Sequence, residues 1–99
     1  MDIWHTHHGI RFVWSAEKAA RNIKKHGVTF ELASQVLLDP FIRVVDASDK
    51  GEERDKAIGY PEASSRLVCV VHIIREDDAI RIISAWPATA EERRLYEDY

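Results

Sequence analysis

The segment from Phe12 to Pro40, FVWSAEKAARNIKKHGVTFELASQVLLDP, constrains the fold more than any other part of the chain. Ser15 can accept a hydrogen bond at a helix start, and Gly27 can adopt the left-handed backbone that ends a helix. Thr29 is a second residue of the type that starts a helix. The predicted elements are a short strand over about 10–14 and helices over about 16–26 and 30–38.

The first predicted helix is basic and amphipathic. Its apolar positions recur at the spacing of one helical face, which predicts a stripe packed against the core. That stripe consists of Ala16, Ala19, Ala20 and Ile23. Lys24, Lys25 and His26 occupy the last turn, where positive charge interacts favourably with the helix dipole.

The rest of the chain alternates between strand patterns and polar turns. Leu67–Ile74 is a continuous apolar run, which is typical of a strand buried on both faces. Thr89 and Glu92 have the spacing of a capping box, which predicts a C-terminal helix through about Asp98. Further strands are predicted over 41–47, 54–60 and 79–86, with turns over 48–53, 61–65 and 76–78.

These elements predict a single α+β domain over residues 1–99. The expected architecture is a twisted antiparallel sheet with helices packed on one face and the other face open. Residues 1–9, MDIWHTHHG, are weakly specified and are expected to form a mobile lead-in. Phe12 and Trp14 alternate on the first predicted strand and are expected in the core.

Composition narrows the class of protein. The apolar fraction of 45% fits a folded domain. The single cysteine, Cys69, excludes an intramolecular disulfide, and its place in an apolar run predicts a small core residue. The N-terminus lacks the features of a signal peptide and no segment has the length of a membrane span, so a cytoplasmic protein is expected.

Three histidines lie near the N-terminus. His5 and His7 would share one side of a strand, and His8 follows. No acid or cysteine nearby in the sequence completes a ligand set, so we predict no metal site and no cofactor.

The net charge of −3 is unevenly distributed. Residues 11–26 hold five basic side chains against one acid, whereas residues 31–56 hold four against seven. A locally basic helix can attract phosphate even on a mildly acidic protein. The alternative is that these charges form only a solvated helix face.

An ordered set of residues from Phe12 to Tyr96 resembles the BrnT family of toxins. The resemblance rests on Phe12, Trp14, Lys18, Asn22, Lys25-His26-Gly27, Phe30, Ala33, Val36, Asp39-Pro40, Glu53-Arg54, Ile58-Gly59, Arg81-Ile82-Ile83-Ser84-Ala85, Ala88-Thr89, Glu92-Arg93 and Tyr96. It implies a RelE-like fold and a small ribonuclease toxin of a type II toxin–antitoxin pair. It also implies a BrnA-like, DNA-binding antitoxin as partner, in a 2:2 complex, and RNA as substrate.

RNA cleavage without a metal needs a base, an acid and cations that stabilise the phosphorane. Under this resemblance the predicted catalytic residues are Lys25, His26, Arg54 and Arg81. The predicted RNA-binding residues are Lys18, Lys24, Lys56, Arg75 and Trp86. Glu53 is a possible base, and Tyr96 could stack on a base or close the core.

Each of these assignments has a structural alternative. His26 could cap its helix through backbone carbonyls, and Lys25 could be merely solvated. Arg54 and Arg81 could be held in ion pairs with neighbouring acids. Glu92 is explained by the helix cap alone.

The chain departs from the family pattern at Trp86, where the family usually has a basic residue. Loss of one charge-stabilising contact can cost about 10²–10³ in rate. Two functions therefore stay open: an endoribonuclease that arrests translation, and a weakened binding module that mainly holds the antitoxin and co-represses their operon. A small sheet domain for another ligand is a third possibility.

Overall fold

The computed structural model describes residues 1–75 and 77–98. Two strands precede the first helix, so the predicted order, with one strand before the two helices, was incomplete. Within the described ranges the elements are β1 (Asp2–His7), β2 (Ile10–Ser15), α1 (Ala16–His26), α2 (Phe30–Val36), β3 (Arg43–Asp46), β4 (Asp55–Gly59), β5 (Val68–Ile74), β6 (Ile80–Pro87) and α3 (Ala90–Glu97).

The six strands form one mixed sheet in the order β1-β2-β6-β5-β4-β3. The predicted α+β class is confirmed, but the purely antiparallel sheet is wrong, because β2 and β6 pair in parallel. After the β1–β2 hairpin the chain crosses through α1 and α2 to the far edge of the sheet. It then returns strand by strand, and β6 meets β2 running in the same direction.

The N-terminal residues are not a mobile lead-in. β1 pairs with β2 along its whole length, from Asp2 opposite Ser15 to His7 opposite Ile10. The two-residue turn at His8 and Gly9 has φ angles of 49° and 80°, which suits a tight hairpin. Histidine in a left-handed conformation gives a weaker sequence signal than Asn-Gly, which explains why this hairpin escaped prediction.

The helix boundaries largely follow the predicted caps. The Ser15 side chain accepts from the Lys18 amide, and Gly27 ends α1 with φ 72°. The Thr29 side chain likewise caps α2. α2 ends two residues earlier than predicted, in a tighter turn before Asp39.

The buried side of α1 differs from the predicted stripe, because Ile23 is 48% exposed and Asn22 is buried. The Asn22 amide nitrogen donates to the carbonyls of Val28 and Ala85, both at 2.9 Å, and its oxygen accepts from the Ala85 amide. β2 pairs only with the start of β6, at Ile80 and Arg81, so Ala85 lies beyond that pairing. Asn22 therefore supplies the hydrogen bonds that a neighbouring strand would make.

Replacing Asn22 with alanine should lower the free energy of unfolding by about 2 kcal/mol, because buried backbone groups of Ala85 would lose their partners. Urea denaturation would measure the change. Lys24→Ala, on the exposed side of the same helix, is the control and should cost less than about 0.5 kcal/mol. An equal loss in both variants would contradict this role for Asn22.

Helices cover both faces of the sheet, contrary to the prediction of one open face. The larger core joins α1 and α2 to one face through residues such as Phe12, Trp14 and Phe30, confirming the core assignment of the first two. A smaller core joins α3 to the opposite face, where Cys69 lies as predicted. The same strand supplies both cores, because Val70 and Cys69 point to opposite sides.

A β-bulge in β6 changes which residues share a face. Val71 pairs with Ser84 but His72 pairs with Ile82, so Ile83 is the extra residue. Strict alternation would place Arg81 with Ile83 and opposite Ser84. That prediction is wrong, because the bulge brings Arg81 and Ser84 to the same face.

The remaining boundaries shift by one or two residues. The capping box of Thr89 and Glu92 is confirmed, and α3 follows it. Of the turn predicted over 76–78, Glu76 lies outside the described residues, and Asp78 has φ 65°. No helix in the described part of the chain has the length and apolar character needed to cross a membrane.

Candidate active site

One face of the central strands carries a set of cations. Lys56 on β4 pairs with Val71 on β5, which pairs with Ser84 on β6, so these side chains form one row. Ile73 and Arg81 pair in the next row on the same face. α3 covers the end of this face nearest Trp86, and its Glu92 also contacts Lys56.

Arg54 extends the second row. Asp55 pairs with His72, so the preceding residue, Arg54, lies next to Ile73. Arg81 pairs with Ile73 from the neighbouring strand β6. Arg54 and Arg81 therefore flank Ile73 on the same face of the sheet. We call the surface formed by Arg54, Lys56, Arg81 and Ser84 the cationic face. Two strand spacings, about 10 Å, separate Arg54 from Arg81.

A shallow groove adjoins the cationic face at the free edge of β6. It has a volume of about 310 Å³. We call it the α1 groove, and it is lined by Lys18, Arg21, Asn22, Lys25, His26, Ile83 and Ser84. Among the described residues, no acidic side chain lies within ion-pair distance of its lysines or its arginine. Ser84 belongs to both surfaces and joins them.

Arg54 borders a second pocket, of about 240 Å³, at the start of β4. One terminal nitrogen of its guanidinium lies 2.7 Å from Glu52, whose side chain is 68% exposed. The Arg54 Nε is buried without a hydrogen-bond partner among the described residues. Glu53, the possible base, lines the same pocket. Arg54 therefore retains an unsatisfied donor, which an anion could reach only if the side chain moved.

Arg81 and Arg75 are both held by acids. Arg81 contacts Asp2 of β1 at 2.8 Å, and this hydrogen bond lowers the pKa of the Asp2 carboxyl. Arg75 lies 3.5 Å from Asp77 and packs over the ring of Trp4. Both acids are at least 43% exposed, so water and salt weaken these pairs.

Lys56 and Trp86 converge on the buried carboxylate of Glu92. Lys56 Nζ lies 2.8 Å from one oxygen, and the other accepts from Trp86 Nε1 and the Thr89 amide. Burial opposes ionisation, but the hydrogen bonds outweigh it and lower the pKa of Glu92 to about 2. Lys56 and the polar end of Trp86 are thus engaged internally, which the prediction of RNA contacts did not foresee.

His26 lies at the end of α1 with its ring 6.1 Å from that of Trp86. It also lines the α1 groove beside Lys25. Imidazole is a common general acid–base group in enzymes, and here it stands between an aromatic ring and cations that have no acidic partner among the described residues. The α1 groove is therefore a surface that can hold phosphate next to a proton-transfer group.

Residues 14–92 match the family model described as the ribonuclease toxin BrnT of type II toxin–antitoxin systems. The chain belongs to the BrnT family. The crystal structure of the Brucella abortus ribonuclease toxin BrnT is similar to this fold, with a TM-score of 0.60 and 26% sequence identity. The match covers 77% of this chain and 92% of that one. A comparison with curated proteins gives no match.

The family prediction is thus confirmed, and all of the predicted catalytic positions lie inside the matched range. The β1–β2 hairpin, apart from the end of β2, lies outside it. In this BrnT-family chain, α1 and β6 bring together Lys18, Lys25, His26 and Ser84, whereas Arg54 and Arg81 lie on the adjoining cationic face. Lys24 does not line the groove.

Sequence reasoning gave no functional role to four residues of the groove, Arg21, Asn22, Ile83 and Ser84. Arg21 lies three residues after Lys18 and four before Lys25, so helical periodicity could have identified it. Ser84 is among the residues of the family resemblance, but its place at the groove could not be predicted because it depends on the bulge at Ile83. Tyr96 is half-buried, and its hydroxyl donates to Asp39 at 2.6 Å, which favours the core interpretation.

Proposed function

We propose that this BrnT-family protein is a metal-independent endoribonuclease that cuts RNA in the cytoplasm and thereby inhibits translation. The observation that carries the proposal is the α1 groove. Its basic side chains lack acidic partners, so nothing within the described chain neutralises them, and a phosphodiester would supply the missing charge. His26 and Ser84 border the same groove.

Lys18 and Lys25 would hold phosphate oxygens, and positive charge next to the scissile phosphate would stabilise the phosphorane. His26 would carry a proton to or from the reacting oxygens. Arg54, whose side chain is 30% exposed, would add a contact through its guanidinium once substrate competes with Glu52, and Glu53 is nearby. Arg81 would join it once substrate competes with Asp2 for the guanidinium. The other predicted RNA contacts, Lys24, Lys56, Arg75 and Trp86, do not line the α1 groove, so the proposal gives them no contact with the scissile phosphate.

A cognate antitoxin is implied by the type II family. We propose a BrnA-like protein with a ribbon-helix-helix DNA-binding part, in a 2:2 assembly. Such a partner would neutralise the toxin by covering the basic groove.

The alternative is a binding module with little catalytic power. It is favoured by the ion pairs of Lys56, Arg54 and Arg81, and by Trp86 at the usual basic position. In that case the chain would mainly hold the antitoxin and help repress their operon.

The two functions are separated by incubating purified protein with single-stranded RNA in EDTA. We expect cleavage by the wild-type protein and none above background for a Lys25→Ala/Arg54→Ala variant. Expression in a bacterial host should arrest growth, and co-expression of the neighbouring gene product should restore it. Equal RNA decay by both proteins would reject the enzyme, and tight complex formation without toxicity would support the module.

A further inference from the structure

The turn of the β1–β2 hairpin meets the turn between β4 and β5 in a cluster of two histidines and one glutamate. His7 Nε2 and His8 Nε2 lie 2.8 and 3.2 Å from the same oxygen of Glu62. One ligand atom from each of the three residues can be chosen so that all lie within 4.8 Å of one another. Glu62 is 55 residues from His7 in the sequence but contacts it in the structure. The prediction of no metal site depended on there being no acid near these histidines, and Glu62 is such an acid.

These three donors match the chemistry of a divalent transition metal. Zinc binds imidazole nitrogen and carboxylate oxygen at about 2.0–2.2 Å, so neighbouring ligand atoms of a tetrahedral site are about 3.3 Å apart. The His8–Glu62 separation of 3.2 Å is close to that edge length, and the His7–Glu62 separation of 2.8 Å is a hydrogen bond that zinc would replace.

The fold holds the three residues in place. His7 ends a fully paired strand, and His8 has the left-handed conformation of a two-residue turn. Glu62 follows Pro61, which is buried. The next residue, Ala63, donates its backbone amide to the Gln35 side chain of α2 at 2.9 Å. Rigid backbone on both sides reduces the cost of assembling a site.

The cluster is accessible, and none of its three residues lines the α1 groove. The side chains of His8 and Glu62 are 64% and 52% exposed. His7 shares its side of β1 with His5, which packs against Phe12 and Trp14 of the larger core. The cationic face is on the other side of the sheet.

We propose that His7, His8 and Glu62 bind one Zn²⁺ ion, with water completing the tetrahedron. Bound zinc links the edge hairpin to the β4–β5 turn. It stabilises the folded protein and takes no part in RNA cleavage.

The experiment uses the full chain after removal of any affinity tag and treatment with EDTA. Calorimetric titration with Zn²⁺ should give one site per chain, and Co²⁺ should give the visible absorption of a tetrahedral complex. His7→Gln, His8→Gln and Glu62→Gln should each raise the Kd for Zn²⁺ by at least about 10–100-fold. That is the loss of affinity that follows removal of a group hydrogen-bonded to a metal ligand, and loss of a ligand should cost no less. Zinc should raise the Tm of the wild-type protein and of none of these variants.

His5→Gln is the matched control, because His5 lies on the same strand and its ring is 6.2 Å from that of His7. It should leave Kd and the zinc-dependent Tm shift unchanged. No binding by the wild-type protein, or binding that survives Glu62→Gln, would overturn the proposal. Neither result depends on RNA cleavage, so the zinc site and the nuclease can fail independently.

Discussion

Replacing Lys25 with glutamine is expected to lower the rate of RNA cleavage by about 10²–10³-fold, the cost of removing one group that stabilises charge in a transition state. Lys25 lines the α1 groove beside His26 and has no acidic partner among the described residues. Glutamine keeps the length and helix propensity of the side chain, so the fold should be unchanged. Initial rates on a labelled single-stranded RNA would measure the effect.

Lys24→Gln is the matched control for this experiment. It removes the same charge from the neighbouring position, but Lys24 does not line the groove. We expect a change of less than about threefold, because only long-range, screened electrostatics are altered. Equal losses for both variants would mean that the helix acts through its net charge, and the assignment of Lys25 to the site would be wrong.

Replacing Glu92 with glutamine is expected to lower the free energy of unfolding by about 3 kcal/mol, the low end of the cost of breaking a buried ion pair. The Lys56 side chain is 21% exposed, so water compensates its charge only in part. Glutamine can still accept from the Thr89 amide, since either residue completes a capping box. The substitution therefore isolates the charge of Glu92 from its role in the cap.

Urea denaturation would test this expectation against Glu91→Gln, an exposed neighbour in the same helix turn. The control should lose less than about 0.5 kcal/mol. In a Lys56→Met background the cost of Glu92→Gln should shrink, because the lysine charge is no longer left unpaired. An undiminished cost in that background would show that Lys56 is not the partner that matters.

The same carboxylate predicts how stability depends on pH. The pKa of Glu92 is lowered to about 2 in the folded protein, from an ordinary value of 4.5. Its stabilisation is therefore fully present above about pH 4.5 and is lost as pH falls toward 2. Glu92→Gln should flatten this part of the stability profile. Urea midpoints measured between about pH 2.5 and 6, a range that includes the ordinary pKa of a glutamate, would show the change.

Local features of this protein were set by the sequence. Ser15, Gly27 and Thr29 fixed the helix boundaries because caps depend on backbone groups within a few residues. The ordered motifs also gave the family, since they do not require knowledge of spatial neighbours. The basic character of α1 follows from the sequence in the same way.

The site depended on contacts between residues far apart in the chain. The bulge at Ile83 decided that Arg81 and Ser84 share a face, and no local pattern marks it. The pairing of Lys56 with Glu92 and of Arg81 with Asp2 joins residues 36 and 79 positions apart. Such pairs form only when the sheet order brings distant strands together, so periodicity could name the cations but not their partners.

The sequence by itself therefore determined the helices, the α+β class and which cations exist. Only the tertiary structure decided that Asn22 rather than Ile23 is buried, that residues 1–9 belong to a hairpin, and that the α1 cations have no acidic partner within residues 1–75 and 77–98. The physical reason is that capping and amphipathic patterns are local. Strand order, the unpaired edge of β6 and the proximity of charges are set by the closure of the whole sheet.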